Sequence, residues 1–120
     1  TGLGVLRRRV ETRWRRVPDE LRTFPETQHA ILANAARFVR PGGVLVYCTC
    51  TMEPEENQQV VERFLNAHPQ FQIQSVLSFL PPELLERHAD NLVSPEGYLQ
   101  THPHLHGMDG FFAARIRLDN

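Results

Sequence analysis

The sequence predicts an α/β fold in which helices alternate with the strands of one sheet. An amphipathic stretch from about Pro25 to Arg40 is followed by a continuous apolar run, Val44–Cys48. A second amphipathic stretch follows and stops at His68-Pro69. This order of helix, strand and helix is typical of an open sheet with parallel strands. Function in such sheets gathers just beyond the carboxyl ends of the strands, which here means the Cys48-Thr49-Cys50 stretch.

The composition is that of one globular domain. The 120 residues are 41% hydrophobic and 22% charged, with a net charge of −1, so any contact with nucleic acid must come from a local patch. No apolar run approaches the roughly 20 residues of a membrane span, and no membrane partner is expected. We expect a cytoplasmic protein that keeps its two cysteines reduced.

The first helix and strand are predicted from the spacing of apolar residues. Five of these lie at helical intervals and make one stripe: Ile31, Leu32, Ala35, Phe38 and Val39. Pro41-Gly42-Gly43 ends this helix. The run Val44–Cys48 has no alternation, which predicts a strand that is covered on both faces. Pro54 fits the first turn of the next helix, where Glu55 and Glu56 are favoured by the helix dipole.

Three more strands are predicted after this second helix. Residues 71–76 alternate between apolar and polar side chains, and residues 97–101 and 111–118 form the other two strands. A short helix is expected over about 83–88, and residues 102–110 form a turn-rich loop with three histidines.

Cys50 is the candidate nucleophile. It is expected at a strand end, with a helix N-terminus a few residues on, and a helix dipole directed at the sulfur favours the reactive thiolate. The neighbouring glutamates 53, 55 and 56 would oppose ionisation if they point inward. From chemistry alone, a small side chain that packs well explains Cys50 equally. For Cys48, on the same face of the strand, packing is the favoured interpretation.

A metal site is an alternative use of the cysteines. His102, His104 and His106 would add nitrogen ligands to the sulfurs, a combination that suits zinc. None of the strong zinc spacings is present, so no metal is predicted.

The segment Arg7–Arg16 is the candidate surface for binding phosphate groups and nucleic acid, which the resemblance described below implies to be RNA. It holds six arginines in ten residues, and Trp14 can stack on a base or on an arginine. The alternative is a solvated stretch, partly paired with Glu11, Asp19 and Glu20. We assign RNA binding to seven residues of this segment: Arg7, Arg8, Arg9, Arg13, Trp14, Arg15 and Arg16.

Several stretches together resemble the RNA 5-methylcytosine methyltransferases, the NOL1/NOP2/Sun family, and within it the bacterial Sun/Fmu branch of 16S ribosomal RNA enzymes. Residues 47–57 (YCTCTMEPEEN) are similar to the family's Thr-Cys-Ser/Thr signature followed by Pro-x-Glu-Asn. Residues 1–8, 40–43 and 106–112 resemble three further motifs of the family, in the same order.

The resemblance implies the C-terminal part of a Rossmann-like, S-adenosylmethionine-dependent methyltransferase sheet. Residues 1–120 would then be a single partial domain, with an antiparallel last pair of strands and with the main cofactor-binding motifs upstream. The isolated chain is therefore expected to be inactive. The strand at 44–47 would have one unpaired edge, through which copies are expected to self-associate.

The resemblance also implies a mechanism. Cys50 matches the Thr-Cys position, so its thiolate would add to C6 of a cytosine and allow C5 to take a methyl group. Cys48 falls where the family commonly has serine and is not expected to be catalytic. We assign Thr49, Asp109 and Phe111 to the substrate pocket, although Asp109 also suits a turn and an aromatic before a strand often packs in a core.

Ribosomal RNA is the expected substrate of such an enzyme, with transfer RNA as the alternative. Two other hypotheses remain at this point. A non-catalytic RNA-binding module that uses Arg7–Arg16 predicts RNA binding that survives Cys50→Ala. A Cys/His metal-binding protein predicts stoichiometric zinc.

Overall fold

A four-stranded sheet with two helices against one of its faces makes up the body of the chain, and the computed structural model describes residues 1–88 and 91–120. The helices are α1 (Thr12–Arg15), α2 (Glu20–Ala36), α3 (Gln58–Ala67), α4 (Pro82–His88) and α5 (Pro103–His106). The strands are β1 (Val44–Thr49), β2 (Phe71–Ile73), β3 (Leu99–Thr101) and β4 (Phe111–Leu118). Short 3₁₀ turns cover Leu3–Val5, Pro54–Glu56 and Val76–Phe79.

The last strand, β4, organises the sheet. It pairs with β1 on one side and with β2 and β3 on the other, and every pairing is antiparallel. The antiparallel last pair of strands that the resemblance implied is thus confirmed in β3 and β4. The parallel strands expected from the order of the elements do not occur among the described strands. In the β1–β4 register Thr49 lies opposite Phe112, so the end of β1 meets the beginning of β4.

The core lies between this sheet and helices α2 and α3. Alternate residues of β4, from Phe112 to Ile116, are fully buried, and they meet the apolar stripe of α3. Phe64 of α3 is completely buried and packs on Phe71 of β2 with ring centroids 5.3 Å apart. Leu32 brings α2 into the same cluster. The spacing of apolar residues along each element therefore decides which face it buries.

The prediction that β1 is covered on both faces is wrong. Leu45 and Tyr47 face the helices and join the core, whereas Val44 and Val46 are 36% and 59% exposed on the opposite face. Cys48 shares that open face and is exposed, so its interpretation as a packed side chain is also wrong. The physical reason is that α2 and α3 contribute to one and the same core cluster, on a single side of the sheet.

Several boundaries differ from those predicted. Pro54–Glu56 form a separate 3₁₀ turn before α3 rather than its first turn, α2 ends at Ala36 rather than near Arg40, and β3 begins at Leu99 rather than at residue 97. Helix α2 begins at Glu20, so Pro25 lies inside it rather than at its start. Strand β2 ends at Ile73, because the hydroxyl of Ser75 caps the next 3₁₀ turn by accepting from the amide of Leu77. The loop 102–110 contains helix α5, which ends at Gly107 in the left-handed conformation. No helix among the described residues is long and apolar enough to cross a membrane.

Candidate active site

Three segments that are distant in sequence meet where β1 ends. The amide of Gly4 donates to the carbonyl oxygen of Cys50 at 2.9 Å, and the amide of Gly110 donates to the carbonyl of Gly4 at 2.7 Å. Residues 1–8, 47–57 and 106–112 therefore converge, and these are three of the stretches that carry the family resemblance.

Cys50 is exposed at this junction. It follows Thr49, which lies opposite Phe112, so Cys50 and Phe111 sit one step beyond the last pair of the β1–β4 ladder. Phe111 is 38% exposed. A Cβ added to Gly2 would lie 4.0 Å from the Cys50 sulfur. The thiol is thus accessible, and an aromatic ring lies at the matching position of the neighbouring strand.

Asn57 holds the chain on both sides of Cys50. The hydroxyl of Thr49 donates to Asn57 Oδ1 at 2.5 Å, and Asn57 Nδ2 donates to the carbonyl of Thr51 at 3.0 Å. Asn57 is buried, so losing either partner would leave a buried polar atom unsatisfied. Thr49, which we assigned to the substrate pocket, therefore uses its hydroxyl to fix the strand end.

Glu56 is a fully buried acid beneath this junction. Its carboxylate accepts from the hydroxyl of Thr1 at 2.6 Å, from the main-chain nitrogen of Thr1 at 2.5 Å and from Gln28 Nε2 at 2.9 Å. In the 120-residue chain burial raises the pKa of Glu56, but hydrogen bonds from the free amino group and hydroxyl of Thr1 and from Gln28, together with the positive charge of that amino group, lower the pKa overall. Glu56 does point inward, as the sequence allowed, and its negative charge is taken up by these donors.

The hydroxyl of Tyr47 donates to the main-chain carbonyl of Glu56 at 2.6 Å. Burial, and after it the negative charge of Glu56, raise the pKa of Tyr47. The phenol therefore keeps its proton and serves as a fixed donor between β1 and the turn that follows it.

Asp109 is engaged by two arginines of the candidate RNA-binding segment. Arg7 Nε donates to Asp109 Oδ1 at 2.5 Å, and Arg7 Nη1 donates to the carbonyl of Gly107 at 2.9 Å. Arg8 Nε lies 3.3 Å from Asp109 Oδ2. The main-chain carbonyl of Asp109 accepts from the hydroxyl of Thr101. The structure thus places Asp109 in an ion pair beside the junction.

The rest of that segment divides into one bound arginine and an exposed group. Arg16 donates to the carbonyl of Thr1 at 2.6 Å and pairs with Glu20 at 3.2 Å. The guanidinium of Arg13 lies 5.5 Å from the ring centroid of Trp14, whose side chain is 80% exposed. The exposed group consists of Arg9, Arg13, Trp14 and Arg15.

The three histidines of the loop do not assemble with the cysteines. The amide of His102 donates to His106 Nδ1 at 2.9 Å, and the two rings stack with centroids 6.1 Å apart. Within residues 1–88 and 91–120, no group of three or more His, Cys, Asp or Glu side chains is placed to hold a metal ion.

An open cavity of about 410 Å³ runs along the free edge of β1. Ile31 and Ala35 of α2 form one wall, and the strand from Leu45 to Cys50 forms the other. Its lining is largely apolar. Among the described residues Glu56 is the only acid in the lining, and both oxygens of its carboxylate already accept hydrogen bonds.

Sequence reasoning did not assign Glu56, Asn57 or Gly4 to the site. The only signal for the first two was their place in the PEEN stretch, directly before the helix that follows β1. For Gly4 the reason is steric, because a Cβ there would lie 2.1 Å from the Gly110 oxygen.

Known proteins resemble this chain over almost its whole length. The sequence model of a family described as 16S rRNA methyltransferase RsmB/F matches residues 1–117. A probable ribosomal RNA small subunit methyltransferase B from Bacillus subtilis is 38% identical over 120 residues, covering 98% of this chain and 25% of the relative. Ribosomal RNA small subunit methyltransferase F from Erwinia tasmaniensis is 35% identical over 117 residues, covering 98% and 23%. The chain spans about a quarter of the length of these curated relatives.

Two crystal structures show the same fold. PH0851 superposes with a TM-score of 0.80 at 34% identity, over 96% of this chain and 24% of that one. NSun6 from Pyrococcus horikoshii with SFG superposes with a TM-score of 0.69 at 27% identity, over 88% and 25%. These matches confirm the fold class predicted from the sequence, part of a Rossmann-like methyltransferase sheet.

Proposed function

The chain belongs to the RsmB/F family of 16S rRNA methyltransferases, and we propose that it forms part of an enzyme that methylates C5 of a cytosine in ribosomal RNA, with Cys50 as the nucleophile. The observation that supports this most directly is the position of Cys50. Its thiol is exposed at the end of β1, at the junction where the three motif-bearing segments meet.

The chemistry needs a nucleophile because C5 of cytosine does not attack a methyl donor readily. In the proposed reaction the Cys50 thiolate attacks C6, so an S–C6 bond forms and the electrons of the C5–C6 double bond move to C5. S-adenosylmethionine would supply the methyl group that bonds to C5, its sulfur–methyl bond breaking so that S-adenosylhomocysteine leaves. Loss of the C5 proton to a base then returns an electron pair to the ring, and the thiolate leaves from C6. The double bond is restored and Cys50 is regenerated.

We propose that the described residues do not supply the main binding groups for S-adenosylmethionine. A ribose is commonly held by an acid, but Glu56, the one acid that lines the cavity beside Cys50, already has both oxygens occupied. We therefore assign none of these residues to the cofactor and propose that the main groups holding it lie elsewhere in a longer protein. In the same way, we propose that the isolated 120-residue chain is inactive.

We also propose that the substrate RNA passes over the exposed face of α1. Trp14 offers a flat, solvent-facing ring with Arg13 beside it, and such rings stack on bases without sequence preference. Arg9 and Arg15 are exposed nearby in sequence and suit phosphate contacts. Phe111 would form an aromatic wall for the target base next to Cys50.

The test uses the longer protein that we expect to contain this chain. Purified protein, S-adenosylmethionine and either 16S ribosomal RNA or transfer RNA are mixed, and the RNA is digested and analysed for 5-methylcytidine by mass. We expect 5-methylcytidine in ribosomal RNA, its loss in Cys50→Ala and its retention in Cys48→Ala. Activity that survives Cys50→Ala would refute the nucleophile. RNA binding without any methylation would favour the non-catalytic module. Methylation of transfer RNA alone would show that transfer RNA, and not ribosomal RNA, is the substrate.

A further inference from the structure

We propose that Arg7 and Asp109 act as a positioning pair that fixes the segment after Gly4 against the segment before Phe111, so that the target base meets Cys50 in the right place. This inference rests on the proposed function, since it concerns how substrate is aligned at Cys50. It differs from direct roles for Arg7 in binding phosphate and for Asp109 in binding the base.

Arg7 makes two hydrogen bonds to the segment before Phe111, one to the Asp109 side chain and one to the main chain of Gly107. Arg7 uses Nε for the Asp109 carboxylate and Nη1 for the carbonyl of Gly107. A guanidinium that spends two donors in fixed directions defines the orientation of the partner loop as well as its distance. Arg8 approaches the second carboxylate oxygen at 3.3 Å. The side chains of Arg7 and Asp109 are 38% and 25% exposed, so the pair is half-sheltered from water.

The pair is placed to act on the junction. Asp109 directly precedes Gly110, whose amide donates to Gly4, and Gly4 in turn donates to the carbonyl of Cys50. Arg7 follows the 3₁₀ turn that contains Gly4. The ion pair therefore closes a small ring of contacts around two main-chain hydrogen bonds, one of which ends on the proposed nucleophile's own carbonyl.

The fit within this ring is close. A Cβ on Gly110 would lie 2.8 Å from the Gly4 Cα and 2.7 Å from Met52 Cγ. The segments around Gly4 and Gly110 can stay this close only if neither slides along the other. Because Phe111 is the next residue, a shift of Asp109 also moves the ring proposed to face the target base.

The experiment compares Arg7→Gln, Asp109→Asn and the double variant in the longer protein. If the two residues act as a pair, each single change lowers kcat by about ten- to a hundred-fold, as small displacements of reacting groups do. The double variant then loses clearly less than the product of the two single losses, since both changes remove the contact between Arg7 and Asp109. The Kd for RNA stays within about two-fold of the unmodified protein, because neither residue is asked to hold phosphate.

Direct RNA contacts predict a different pattern. Loss of a phosphate-binding Arg7 raises the Kd and lowers the salt dependence of binding by about one counterion. Loss of the Asp109 charge then has the opposite sign and strengthens RNA binding. Opposite changes of this kind, with kcat unaffected, would overturn the positioning pair.

A matched control is available in the ion pair between Arg63 and Glu26, which joins α3 to α2 at 2.6 Å and is more exposed. Arg63→Gln and Glu26→Gln remove a pair of the same chemistry away from Cys50, and we expect kcat to stay unchanged. An equal loss of kcat in these controls would show that any lost ion pair lowers activity, which contradicts a specific role.

A second readout does not depend on methylation. Amide hydrogen exchange at Gly4 and Gly110, and alkylation of Cys50 by iodoacetamide followed by peptide mass, are measured in the same variants. The positioning pair predicts faster exchange at both glycines and a changed alkylation rate in Arg7→Gln and Asp109→Asn but not in the controls. If the unmodified protein does not methylate RNA, the proposed function fails, while exchange that stays unchanged in these variants overturns the pair itself.

Discussion

Gly4 lies directly between Gly110 and Cys50, and its lack of a side chain is what allows them to meet. A Cβ on Gly4 would lie 2.1 Å from the carbonyl oxygen of Gly110 and 2.8 Å from that of Cys50. Both obstacles are main-chain atoms, which cannot rotate away as a flexible side chain can. The candidate active site therefore depends on a glycine that performs no chemistry.

Gly4→Ala is expected to destabilise the chain by about 3 kcal/mol, the upper part of the range for overpacking a close contact. The measurement is the midpoint of urea unfolding. Gly107→Ala is the matched control. The φ of Gly107 is +64°, but nothing lies within 4 Å of an added Cβ. Gly107→Ala should therefore lose only about 1 kcal/mol of stability, from backbone strain. Equal losses in the two variants would contradict the steric account of Gly4.

Glu56 is expected to make stability depend on acid pH. In the folded 120-residue chain its pKa is lowered from the ordinary value of 4.5, because the free amino group and hydroxyl of Thr1 and the amide of Gln28 outweigh burial; the measurement below uses this chain. At pH values between the folded-state pKa and 4.5, the unfolded state therefore binds more protons than the folded state. This stabilisation is present above pH 4.5 and is lost as pH falls through the folded pKa.

Glu56→Gln should therefore flatten the fall in the free energy of unfolding below about pH 4.5, measured by urea titration at several pH values. Glu53→Gln is the control, because within residues 1–88 and 91–120 Glu53 makes a hydrogen bond through its main-chain amide and none through its side chain. A pH profile unchanged by Glu56→Gln, or changed equally by Glu53→Gln, would show that the acid sensitivity comes from elsewhere.

Trp14→Ala should weaken RNA binding by about 1–3 kcal/mol without loss of stability, because a base loses its stacking partner while the ring is 80% exposed in the folded chain. Fluorescence titration of the longer protein with single-stranded RNA measures this. Phe38→Ala removes a different exposed aromatic, 83% exposed at the end of α2, and should leave affinity unchanged. Similar losses at both positions would argue against a specific stacking site.

The 120-residue chain is expected to self-associate through β1, which pairs with β4 on one side and with no other described strand. Val46→Lys puts a charge on the exposed side of that strand and should shift sedimentation towards the monomer. Val10→Lys, at a residue that is 60% exposed outside the sheet, should not. An unmodified chain that sediments as a monomer and melts cooperatively would contradict this expectation.

Local patterns in the sequence predicted most of the helices and strands, but they could not predict the tertiary contacts. The 3.6-residue spacing around Leu32 and the alternation in residues 71–73 report on helix and strand directly. The open face at Val46 could not be seen, because an apolar run has the same sequence whether one face or two are covered. The Arg7–Asp109 pair joins positions 102 apart, and no local pattern distinguishes an arginine that pairs from one that stays free.

In the candidate site, too, residues with a local sequence signal could be predicted and residues defined by long-range contacts could not. Cys50 could be proposed as the nucleophile because its sequence neighbours form a motif. The buried charge of Glu56 was not assigned, because its partners Thr1 and Gln28 are 55 and 28 residues away. Side chains that do chemistry can be recognised from their immediate neighbours, but those that hold the site together are recognised from the folded contacts.

The most direct test of Cys50 as the nucleophile is to trap the covalent intermediate. The longer protein is incubated with S-adenosylmethionine and ribosomal RNA that contains 5-fluorocytosine. Fluorine at C5 cannot leave as the proton does, so the ring stays bonded to the attacking sulfur. We expect a protein–RNA adduct whose digested peptide carries the nucleotide on Cys50 and which is absent in Cys50→Ala. An adduct on another residue, or no adduct while RNA still binds, would contradict the assignment of Cys50.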